Sequence, residues 1–594
     1  MVLGRNQFEV LFAVRSLGVS LTQRALSEVT GLSLGTVNSV VRELRALGFL
    51  DAAGITESGI AALEPYRVRN AVIMAAGFAS RFVPLSFERP KGLLEVRGEV
   101  LIERQIRQLK EAGVEDITVV VGYMKETFFY LEDAFGVRIL VNEEYAERNN
   151  NSTLHAVREE LGNTYVCSSD NYFAENVFRS YEYSSFYSAA FVEGETDEYC
   201  LTVGSKGRIV GVEVGGRDAL IMVGHAYFDR EFAKTFVRIL EGVYEHPETA
   251  SKLWEDVYAD HLDELEMQVR EHPQDVVFEF DSMSDLVAFD QDFANNVDSS
   301  ILDNICTILG CRREQISDLE PIKDGLTNLS FKFSVDDGSG LSYVYRHPGA
   351  GTDEIINRAS EAFSQTVAKK LGIDETFVYQ DPVQGWKISR HVDVAEEFDY
   401  HNPAHVSRAL EMARRLHQEG QPSEWTYDLY EKAERIRDLL TDLHYPGFSD
   451  LEEMVETARK LSALVERDNV PLVLCHNDFY APNFLVGAER MDLIDWEYSA
   501  MSDPAGDLGV FICCSDYTLD EARAVIDEYY GGSASPEQLR HALAYVSIAA
   551  YHWFVWALYK DATGDPVGEW LYLWYRFAKE YSAIALDLYE HGQA

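Results

Sequence analysis

A glycine-containing loop with two basic residues close behind it is the first feature of the sequence that could do chemistry. The run RNAVIMAAGFASRF has the pattern of a buried strand that leads into a loop at Ala75, Ala76 and Gly77, and Arg81 and Lys91 follow. Glycine lets backbone N–H groups approach an anion closely, and arginine and lysine supply positive charge. The pattern therefore predicts a triphosphate-binding loop.

Two aspartates further along the chain supply carboxylates. Asp170 in SSDNY and Asp281 in FEFDSMSDL each follow a strand-like run. A single aspartate in this position is more often a cap or a turn residue. Two of them at the carboxyl ends of strands in one sheet can instead share a Mg²⁺ ion.

The stretch after the first strand resembles the signature of nucleotide-sugar pyrophosphorylase-type transferases, most closely that of bacterial phosphocholine cytidylyltransferases. The signature reads AAGFASRFVPLSFERPKGLLEVRGEVLIERQI. In addition, ERNNNSTLHAV matches the nucleotide-contacting motif of that family, with Asn149, Asn150 and Ser152. The resemblance implies CTP as a substrate, bound by the loop at Gly77 and by Asn150 and Ser152.

The same resemblance implies how the reaction is catalysed. Asp170 and Asp281 would hold Mg²⁺ at the α-phosphate of CTP, while Lys91 and Arg81 neutralise charge and align the phosphates. No protein base is needed, because the nucleophile is a phosphate monoester that is already ionised at neutral pH. The glycine-loop signature and the two aspartate motifs contain no histidine, which agrees with such a mechanism.

The segment GETDEYCL resembles the acceptor region of the same family. Glu198 and Tyr199 could meet a quaternary ammonium group, one by charge and the other by its ring face. Related enzymes often carry tryptophan where this chain has Tyr199. The alternative is that both residues are ordinary members of a strand.

A second set of chemical residues lies in the C-terminal half. VLCHNDFYAPNFLV is followed by MDLIDWEYS, which together resemble the catalytic core of choline kinases and of the wider aminoglycoside phosphotransferase family. The resemblance implies that Asp478 orients the substrate hydroxyl and accepts its proton, and that Asn483 and Asp495 hold Mg²⁺ on the phosphates of ATP. His476 is expected to support the loop.

An arginine and a glutamate upstream match the nucleotide-binding part of that kinase pattern. IKDGLTNLSFKF corresponds to the turn that covers the phosphates, and YVYRHPGAGTDEIINRASE to the next strand and helix. Arg346 stands where a protein kinase has its strand lysine, and Glu361 is the helix acid that could pair with it. Taken alone, such a pair is usually a surface ion pair.

Aromatic residues near the C-terminus indicate the class of substrate. Trp553 and Trp556 lie three residues apart on a predicted helix, and Tyr572 and Tyr575 repeat that spacing. A trimethylammonium group has no N–H donors, so ring faces and carboxylates bind it best. Aromatic stripes are more often core, but HWFVWALYK resembles the C-terminal motif of choline kinases, which favours a choline cage.

The first 67 residues resemble a winged helix-turn-helix domain. Thr22 and Ser33 are placed to cap two successive helices, with Gly31 turning the chain between them. In a DNA reader the start of the second helix enters the major groove, with Arg42 and Arg45 near the backbone. The segment is close to electrically neutral, so a dimerisation or regulatory module is the alternative to DNA binding.

These patterns predict a multidomain chain of mixed α/β and α+β class. We expect a winged helix at residues 1–67, a Rossmann-like nucleotidyltransferase domain at residues 68–292, and a protein-kinase-like phosphotransferase with two lobes at residues 293–594. A length of 594 residues also favours several domains.

Composition narrows the surroundings of the protein. The formal net charge of −47 argues against a chain that mainly coats nucleic acid or anionic lipid. Seven scattered cysteines without CxxC spacing predict reduced thiols, and the N-terminal apolar run is interrupted by charges. We therefore expect a cytoplasmic protein without membrane insertion.

Together, the two halves predict one enzyme with two activities. The kinase would make phosphocholine from choline and ATP, and the transferase would convert it with CTP into CDP-choline, both with Mg²⁺. By analogy with the family, the product would serve phosphocholine decoration of cell-surface glycans. Ethanolamine or an aminophosphonate as substrate, a choline-responsive transcription regulator that binds DNA, and a homodimer remain open.

Overall fold

The computed structural model describes most of the chain, with short gaps. The described ranges are 2–17, 22–280, 282–290, 293, 297–322, 328–348, 356–443, 447–564 and 567–592. Contacts between Cα atoms divide the chain into two compact units, Met1–Asp303 and Asn304–Ala594. Each unit is described by itself below, and the three domain boundaries expected from the sequence remain predictions.

Four helices form the N-terminal part of the first unit: α1 (Arg5–Leu17), α2 (Gln23–Thr30), α3 (Leu34–Ala46) and α4 (Glu57–Leu63). The Thr22 hydroxyl caps α2, Gly31 ends it in the left-handed conformation, and the Ser33 hydroxyl caps α3, all as the sequence predicts. Leu50 and Ile55 pair in an antiparallel bridge that forms a very short wing. The winged-helix prediction is therefore confirmed.

The N-terminal helices pack onto a segment of the transferase domain. Tyr181 and Tyr183 join the same apolar core as Phe8, and the rings of Tyr66 and Tyr183 stack with centroids 5.6 Å apart. Glu182, between the two tyrosines, is buried in the other direction and pairs with Arg270 at 2.5 Å. The winged helix and the transferase domain therefore share a packed boundary.

A mixed sheet of seven strands, in the order β10-β8-β9-β6-β1-β4-β5, is the centre of the first unit. The strands of this sheet are β1 (Asn70–Ala75), β4 (Ile117–Val121), β5 (Arg138–Val141), β6 (Thr164–Ser168), β8 (Phe186–Val203), β9 (Ile209–Phe228) and β10 (Gln268–His272). β1, β4, β5 and β6 are parallel, which confirms the Rossmann-like expectation. In β1, Ile73 faces one apolar core and Val72 the other, because side chains alternate along a strand.

Short strands and helices complete this unit. The short strands are β2 (Glu95–Val96), β3 (Glu99–Val100), β7 (Asn171–Phe173) and β11 (Val277–Glu279). The helices are α5 (Leu85–Glu88), α6 (Leu101–Glu111), α7 (Tyr130–Phe135), α8 (Asn151–Ala156), α9 (Arg230–Val243), α10 (Trp254–Ala259) and α11 (Met283–Phe289). Helix α12 (Ser300–Leu309) contains the division between the two units.

The second unit begins with an antiparallel sheet in the order β12-β13-β14-β16-β15. Its strands are β12 (Ile316–Ile322), β13 (Asn328–Val335), β14 (Ser342–Pro348), β15 (Phe377–Gln380) and β16 (Lys387–Arg390), and α13 (Arg358–Lys370) lies between β14 and β15 in the chain. Such a sheet with one intervening helix is the small lobe that the sequence predicts.

A larger helical lobe follows. Its helices are α14 (Pro403–Glu419), α15 (Leu429–Asp442), α16 (Leu451–Arg467), α17 (Ala505–Cys513), α18 (Leu519–Tyr529), α19 (Pro536–Ala562) and α20 (Trp570–His591). Two short hairpins hold the chemical residues, formed from β17 (Val473–Cys475), β18 (Phe484–Val486), β19 (Met491–Leu493) and β20 (Ala500–Ser502). The two-lobed prediction is thus confirmed.

Helix α19 is long and apolar enough to cross a membrane by length and composition alone. Within the described residues it is the one helix that meets this test, and 78% of its most apolar window is buried inside the protein. The core helix of a globular lobe passes the same test, so this is weak grounds for a membrane span.

Candidate active sites

A cavity of about 970 Å³ opens at the carboxyl ends of β1 and β6 in the first unit. The loop that follows β1 lines it with Ala75, Ala76, Gly77 and Arg81, and Lys91 lies on the same wall. Ligands bind at the carboxyl ends of parallel strands in folds of this kind. The structure therefore brings together the loop residues that the sequence predicts.

Lys91 and Asp170 form an ion pair inside this cavity. The Lys91 ammonium lies 2.5 Å from Asp170 Oδ2 and 4.7 Å from the centroid of the Phe82 ring. Glycine is required at position 92, because a Cβ there would lie 2.8 Å from the Ser169 side chain. The close approach of these two chain segments places the lysine and the aspartate at one point of the cavity.

Asp170 has one oxygen that suits a cation. Its Oδ2 accepts from Lys91, while its Oδ1 is buried and has no hydrogen-bond partner among the described residues. An orphaned carboxylate oxygen at a phosphate site fits the hard, oxygen-binding Mg²⁺ ion. Asp281, the second predicted ligand, lies outside the described residues, and Glu279 just before it lines the cavity.

Asn150 and Ser152 differ in their placement. Asn150 lines the cavity, but its side chain also ties α10 in place, with Nδ2 donating to Glu255 at 3.2 Å and Oδ1 accepting from the Trp254 N–H at 2.7 Å. Ser152 is buried, accepts from Asn142 at 2.8 Å and donates to the Asn149 carbonyl at 2.8 Å. Its place is behind the cavity wall, where it supports the motif.

One end of the cavity is aromatic and acidic. Glu198 and Tyr199 line it, as predicted for the acceptor region, together with Tyr187, Glu255 and Glu279. Tyr187 donates to Glu255 at 3.0 Å, and Tyr199 donates to Asp256 at 2.7 Å. Rings held by carboxylates in this way combine the two features that attract a cationic group.

Glu255 is the carboxylate of this end whose ionisation is poised near neutrality. Burial raises its pKa to about 7, although hydrogen bonds from Asn150 and Tyr187 act to lower it. The sequence alone does not point to Glu255, because its segment, LWEDVY, belongs to none of the motifs described above. Glu279 could have been found, since it stands two residues before Asp281 on the same strand-like run.

A smaller apolar pocket of about 330 Å³ adjoins the acidic end. The two cavities share Glu198, Met222 and Glu279. The remaining lining of the smaller pocket is mainly aliphatic and aromatic: Ala190, Phe191, Val192, Ile221, Val223, Val277 and Phe278, with Gln274 and Asp285. Methyl groups next to a positive charge would find apolar contacts there.

In the second unit, the loop between β17 and β18 brings Asp478 and Asn483 together. Asn483 Nδ2 donates to Asp478 Oδ2 at 2.9 Å and to the Asp478 carbonyl at 2.8 Å. The amide oxygen of Asn483 is therefore the atom that can bind a cation. Burial, and after it the charge of Asp495, raises the pKa of Asp478 well above its usual range.

The loop is held by Asp507 at the start of α17. Its carboxylate accepts the backbone N–H groups of His476 at 2.9 Å and Asn477 at 2.7 Å, and it contacts His417 Nε2 at 2.9 Å. His476 itself bonds through Nε2 to the Ile494 carbonyl at 2.9 Å. His476 and Asp507 are thus placed to fix the loop, while Asp478 is presented to the site.

A buried ion cluster connects the small lobe with the metal-binding end. Arg346 on β14 bonds to Glu361 on α13, and its other terminal nitrogen lies 3.6 Å from Asp495. Burial alone would raise the pKa of Glu361, but the charges of Arg346 and Lys387 hold it at about 2. The predicted Arg346–Glu361 pair is therefore a buried contact and not a surface ion pair.

Glu497 is an acid of this site that the sequence motifs did not single out. It stands two residues after Asp495 in DWEY, and its Oε2 is buried, with no hydrogen-bond partner in the part of the chain that the structure describes. Burial, followed by the charge of Asp495, raises the pKa of Glu497 to about 7. Together with Asp495 and the amide oxygen of Asn483, it gives a set of oxygen donors that fits Mg²⁺.

The predicted aromatic cage is only partly assembled as expected. Trp553 and Trp556 lie on one face of α19, with ring centroids 5.5 Å apart. Trp574 on α20 completes the group, 5.8 Å from Trp553 and 6.4 Å from Trp556. Tyr572 is 67% exposed, and Tyr575 packs near Phe448 and Phe554 and donates to Asp450 at 2.7 Å.

The difference follows from the helix period. Tyr572 and Tyr575 are three residues apart on α20, but Trp574 is the residue of this helix whose ring meets the two tryptophans of α19, while Tyr575 contacts Phe554 instead. Tyr427 continues the aromatic group toward the catalytic loop, with its ring 6.4 Å from His552 and 5.9 Å from Tyr498. The spacing of three identified a shared helix face without showing which face packs inward.

Three family models match separate parts of the chain. Residues 5–51 match a winged helix-turn-helix DNA-binding domain, residues 71–179 a MobA-like NTP transferase domain, and residues 319–553 choline/ethanolamine kinase. With the geometry above, these matches define a nucleotidyltransferase domain joined to a kinase domain in one chain.

Two similar proteins match this chain over nearly their whole length. A choline-phosphate cytidylyltransferase of Streptococcus pneumoniae is 36% identical over 216 residues, which is 36% of this chain and 94% of that protein. A 2-aminoethylphosphonate cytidylyltransferase of Lancefieldella rimae is 37% identical, over 38% of this chain and 93% of that protein. The chain belongs to the cytidylyltransferase family that these proteins represent.

A solved structure resembles the kinase part. The crystal structure of choline kinase LicA from Streptococcus pneumoniae matches with 22% identity and a TM-score of 0.41, over 48% of this chain and 98% of that chain.

Proposed function

We propose that the chain is a choline kinase and a CTP:phosphocholine cytidylyltransferase in one polypeptide. The kinase transfers the γ-phosphoryl group of ATP to the hydroxyl of choline, and the transferase joins the phosphocholine to CTP with release of pyrophosphate. The observation that carries the proposal is the presence in one chain of a choline/ethanolamine kinase match and a cytidylyltransferase match. The product of the first reaction is the acceptor of the second.

In the transferase, the chain's own residues position the substrates and neutralise the charge of their phosphates. The backbone of the loop at Gly77 and the side chains of Arg81 and Lys91 bind the phosphates of CTP, and Asp170 orients Lys91 through their 2.5 Å contact. Asp170 would hold a Mg²⁺ ion, which would supply further positive charge. The acceptor phosphate is ionised on arrival, so no side chain has to remove a proton.

In the kinase, the nucleophile is a hydroxyl and a base is required. Asp478 accepts the hydroxyl proton, and the hydrogen bond from Asn483 holds its carboxylate in a fixed orientation. Asn483 and Asp495 would hold a Mg²⁺ ion, which would supply positive charge next to the phosphates of ATP. Arg346, fixed by Glu361, contributes a further positive charge to the same end of the site.

Choline is favoured over ethanolamine by the acceptor end of the transferase cavity. Glu198, Glu255 and Glu279 supply negative charge, Tyr187 and Tyr199 supply ring faces, and the adjoining pocket is apolar. A primary ammonium needs hydrogen-bond acceptors for its three N–H groups, and Tyr187 and Asn150 take two of the roughly four acceptor positions of Glu255. Trimethylammonium needs only charge, rings and apolar contacts.

The test is a coupled assay of the pure protein with ATP, CTP and Mg²⁺. Choline, ethanolamine and 2-aminoethylphosphonate are supplied in parallel, and the cytidylylated products are separated by chromatography. CDP-choline is expected as the preferred product. Equal or better turnover of ethanolamine would overturn the choice of choline. If the transferase used 2-aminoethylphosphonate in preference to phosphocholine, its activity would be that of a 2-aminoethylphosphonate cytidylyltransferase.

We place these reactions in the cytoplasm. All seven cysteines are free thiols, four of them buried, as is usual in a reducing compartment. Decoration of cell-surface glycans is one use of CDP-choline in that setting, and a strain lacking the gene, stained for surface phosphocholine, would test it.

A second candidate function is DNA binding by the winged helix. Arg24, Arg42 and Arg45 are exposed, and the described residues offer them no ion pair. The neighbouring acids are engaged, since Glu43 accepts from Gln7 and Ser39, and Glu9 pairs with Arg179. The three arginines therefore supply positive charge on the exposed face of the helix-turn-helix, in a segment whose composition is close to neutral.

Gel-shift titration with the DNA upstream of the gene tests this second candidate. Arg42→Ala with Arg45→Ala should weaken binding and reduce its salt dependence, because each phosphate contact contributes to the salt slope. Arg408→Ala, an exposed arginine on α14, is the matched control. Binding that is absent, or equal in all variants, would favour a dimerisation or regulatory role for this domain.

A further inference from the structure

One ammonium group in the kinase unit has no role in the mechanism above. Lys387 is the first residue of β16, and its side chain is 12% exposed. Its Nζ lies 3.6 Å from Glu361 Oε1, which is an ion pair but too long for a hydrogen bond. The described residues provide no hydrogen-bond acceptor for this ammonium. A nearly buried ammonium with unused donors is costly unless something binds it.

Pairing with Glu361 does not by itself explain why a lysine stands at position 387, because the oxygens of Glu361 already accept hydrogen bonds from other residues. Arg346 bonds to Oε1, Gln380 donates to Oε2 at 2.8 Å, and Arg358 approaches Oε2 at 3.3 Å. Gln365 also donates to Oε1 at 3.3 Å. A carboxylate offers about four acceptor positions, and these four donors fill them without Lys387.

The sheet places Lys387 directly beside Arg346. The two residues are register partners on the antiparallel strands β14 and β16. Side chains of directly opposed residues project from the same face, where like charges repel and destabilise the sheet. Two buried cations are thus kept side by side on the face that carries Arg346 toward Asp495, at the end of the site that holds the phosphates.

We infer that Lys387 binds the phosphates of the nucleotide together with Arg346. In protein kinases a single strand lysine contacts the phosphates and pairs with the helix glutamate. Here the arginine on β14 takes the place of that lysine and is fixed by Glu361, while the ammonium on β16 supplies the donors that remain unused. The inference rests on the proposed kinase function and adds a residue that the sequence motifs did not single out.

The inference is tested by Lys387→Met, which keeps the length and apolar stem of the side chain and removes its charge. Arg390→Met is the matched control, because Arg390 is exposed at the other end of the same strand. Equilibrium binding of ATP, ADP and adenosine is measured for both variants with Mg²⁺ present, alongside KM and kcat. Lys387→Arg is expected to recover part of the lost affinity.

Loss of phosphate contacts should be selective. For Lys387→Met we expect ATP affinity to fall about 10- to 100-fold, the range of one charged hydrogen bond, with adenosine affinity unchanged. Arg390→Met should remain within about two-fold of the unaltered protein for all three ligands. Equal losses for ATP and adenosine, or a lower melting temperature with unchanged ATP affinity, would reduce Lys387 to a structural counter-charge and overturn the inference.

The design separates this inference from the proposed function. If the unaltered protein binds ATP but phosphorylates no amino alcohol, the function fails, while the comparison of ATP with adenosine still decides the role of Lys387. If Lys387→Met does not fold, Lys387→Gln is measured in the same way, and retention of full ATP affinity in that variant also contradicts the inference.

Discussion

The two nucleotide sites of this chain solve opposite electrostatic problems. The transferase cavity presents a cationic loop, with Lys91 held by Asp170, and its acidic residues are concentrated at the acceptor end. The kinase site concentrates acids around the reacting groups, and after burial the charge of Asp495 raises the pKa of both Asp478 and Glu497. The difference follows from the nucleophile, which is an ionised phosphate in one reaction and a neutral hydroxyl in the other.

The comparison teaches where a base is needed. A phosphate monoester needs positive charge to approach another phosphate, so lysine and arginine suffice. A hydroxyl must lose a proton as it attacks, so one carboxylate has to be kept free of the metal and oriented toward that hydroxyl. The hydrogen bond from Asn483 to Asp478 provides that orientation in the kinase site. In the transferase cavity Asn150 donates to Glu255 in a similar way, but that carboxylate lies at the acceptor end and not beside the cationic loop.

The largest expected effect is on the base itself. Asp478→Asn keeps the shape of the side chain and removes its ability to accept the proton, so kcat for choline phosphorylation should fall by about 10²–10⁴. Cytidylyl transfer to added phosphocholine should be unchanged, as measured by pyrophosphate release in the same preparation. A kinase that keeps its rate would show that Asp478 is not the base and would remove the contrast between the sites.

The next effect tests the cationic side of the comparison. Lys91→Met should lower kcat for cytidylyl transfer by about 10²–10³, the typical loss when one electrostatic donor at the transition state is removed. Choline phosphorylation is the internal control. Because Lys91 also neutralises Asp170, the melting temperature of Lys91→Met is measured as well: a loss of activity that is accounted for by loss of folded protein would assign Lys91 a merely structural role.

A third prediction concerns pH at the acceptor end. The pKa of Glu255 is raised to about 7, so its carboxyl is mostly neutral below that pH and ionised above it. A cationic acceptor binds the ionised form, so KM for phosphocholine should fall up to about ten-fold as the pH rises from about 6 to about 8.

Glu255→Gln is the control for this pH effect. The phosphate of phosphocholine also titrates near pH 6, and that part of the dependence should survive in the variant. The part that arises from Glu255 should disappear, and KM should be high at all pH values. Identical pH profiles for the two proteins would exclude Glu255 from recognition of the acceptor.

The fold was predictable from the sequence to a greater extent than the sites. Capping residues such as Thr22 and Ser33, and the buried apolar run of β1, are local signals, and the structure follows them. The loop at Gly77 and the Asp478–Asn483 contact were also found, because their residues are close in the chain. Motif spacing carries this kind of information well.

The residues that were missed depend on packing between distant elements. Glu255 reaches the cavity only because α10 is tied to Asn150, about a hundred residues earlier, and Lys387 meets Arg346 through sheet register. Trp574 was passed over for Tyr572 and Tyr575, because a spacing of three cannot tell which face of α20 packs on α19. No local pattern encodes these three contacts.

The smallest expected effect concerns the contribution of the Tyr199 ring to phosphocholine binding at the acceptor end. Tyr199→Trp introduces the side chain with the strongest attraction for a cation over its ring, worth about 0.5–1 kcal/mol at a partly exposed site, so KM for phosphocholine should fall about two- to five-fold. The substitution also removes the hydroxyl that donates to Asp256 at 2.7 Å. Tyr199→Phe removes that hydroxyl alone, and the ratio of the two variants isolates the ring. If both raise KM equally, Tyr199 acts through Asp256 and the position of α10, and the charge of the acidic residues alone distinguishes this end of the cavity from the cationic loop.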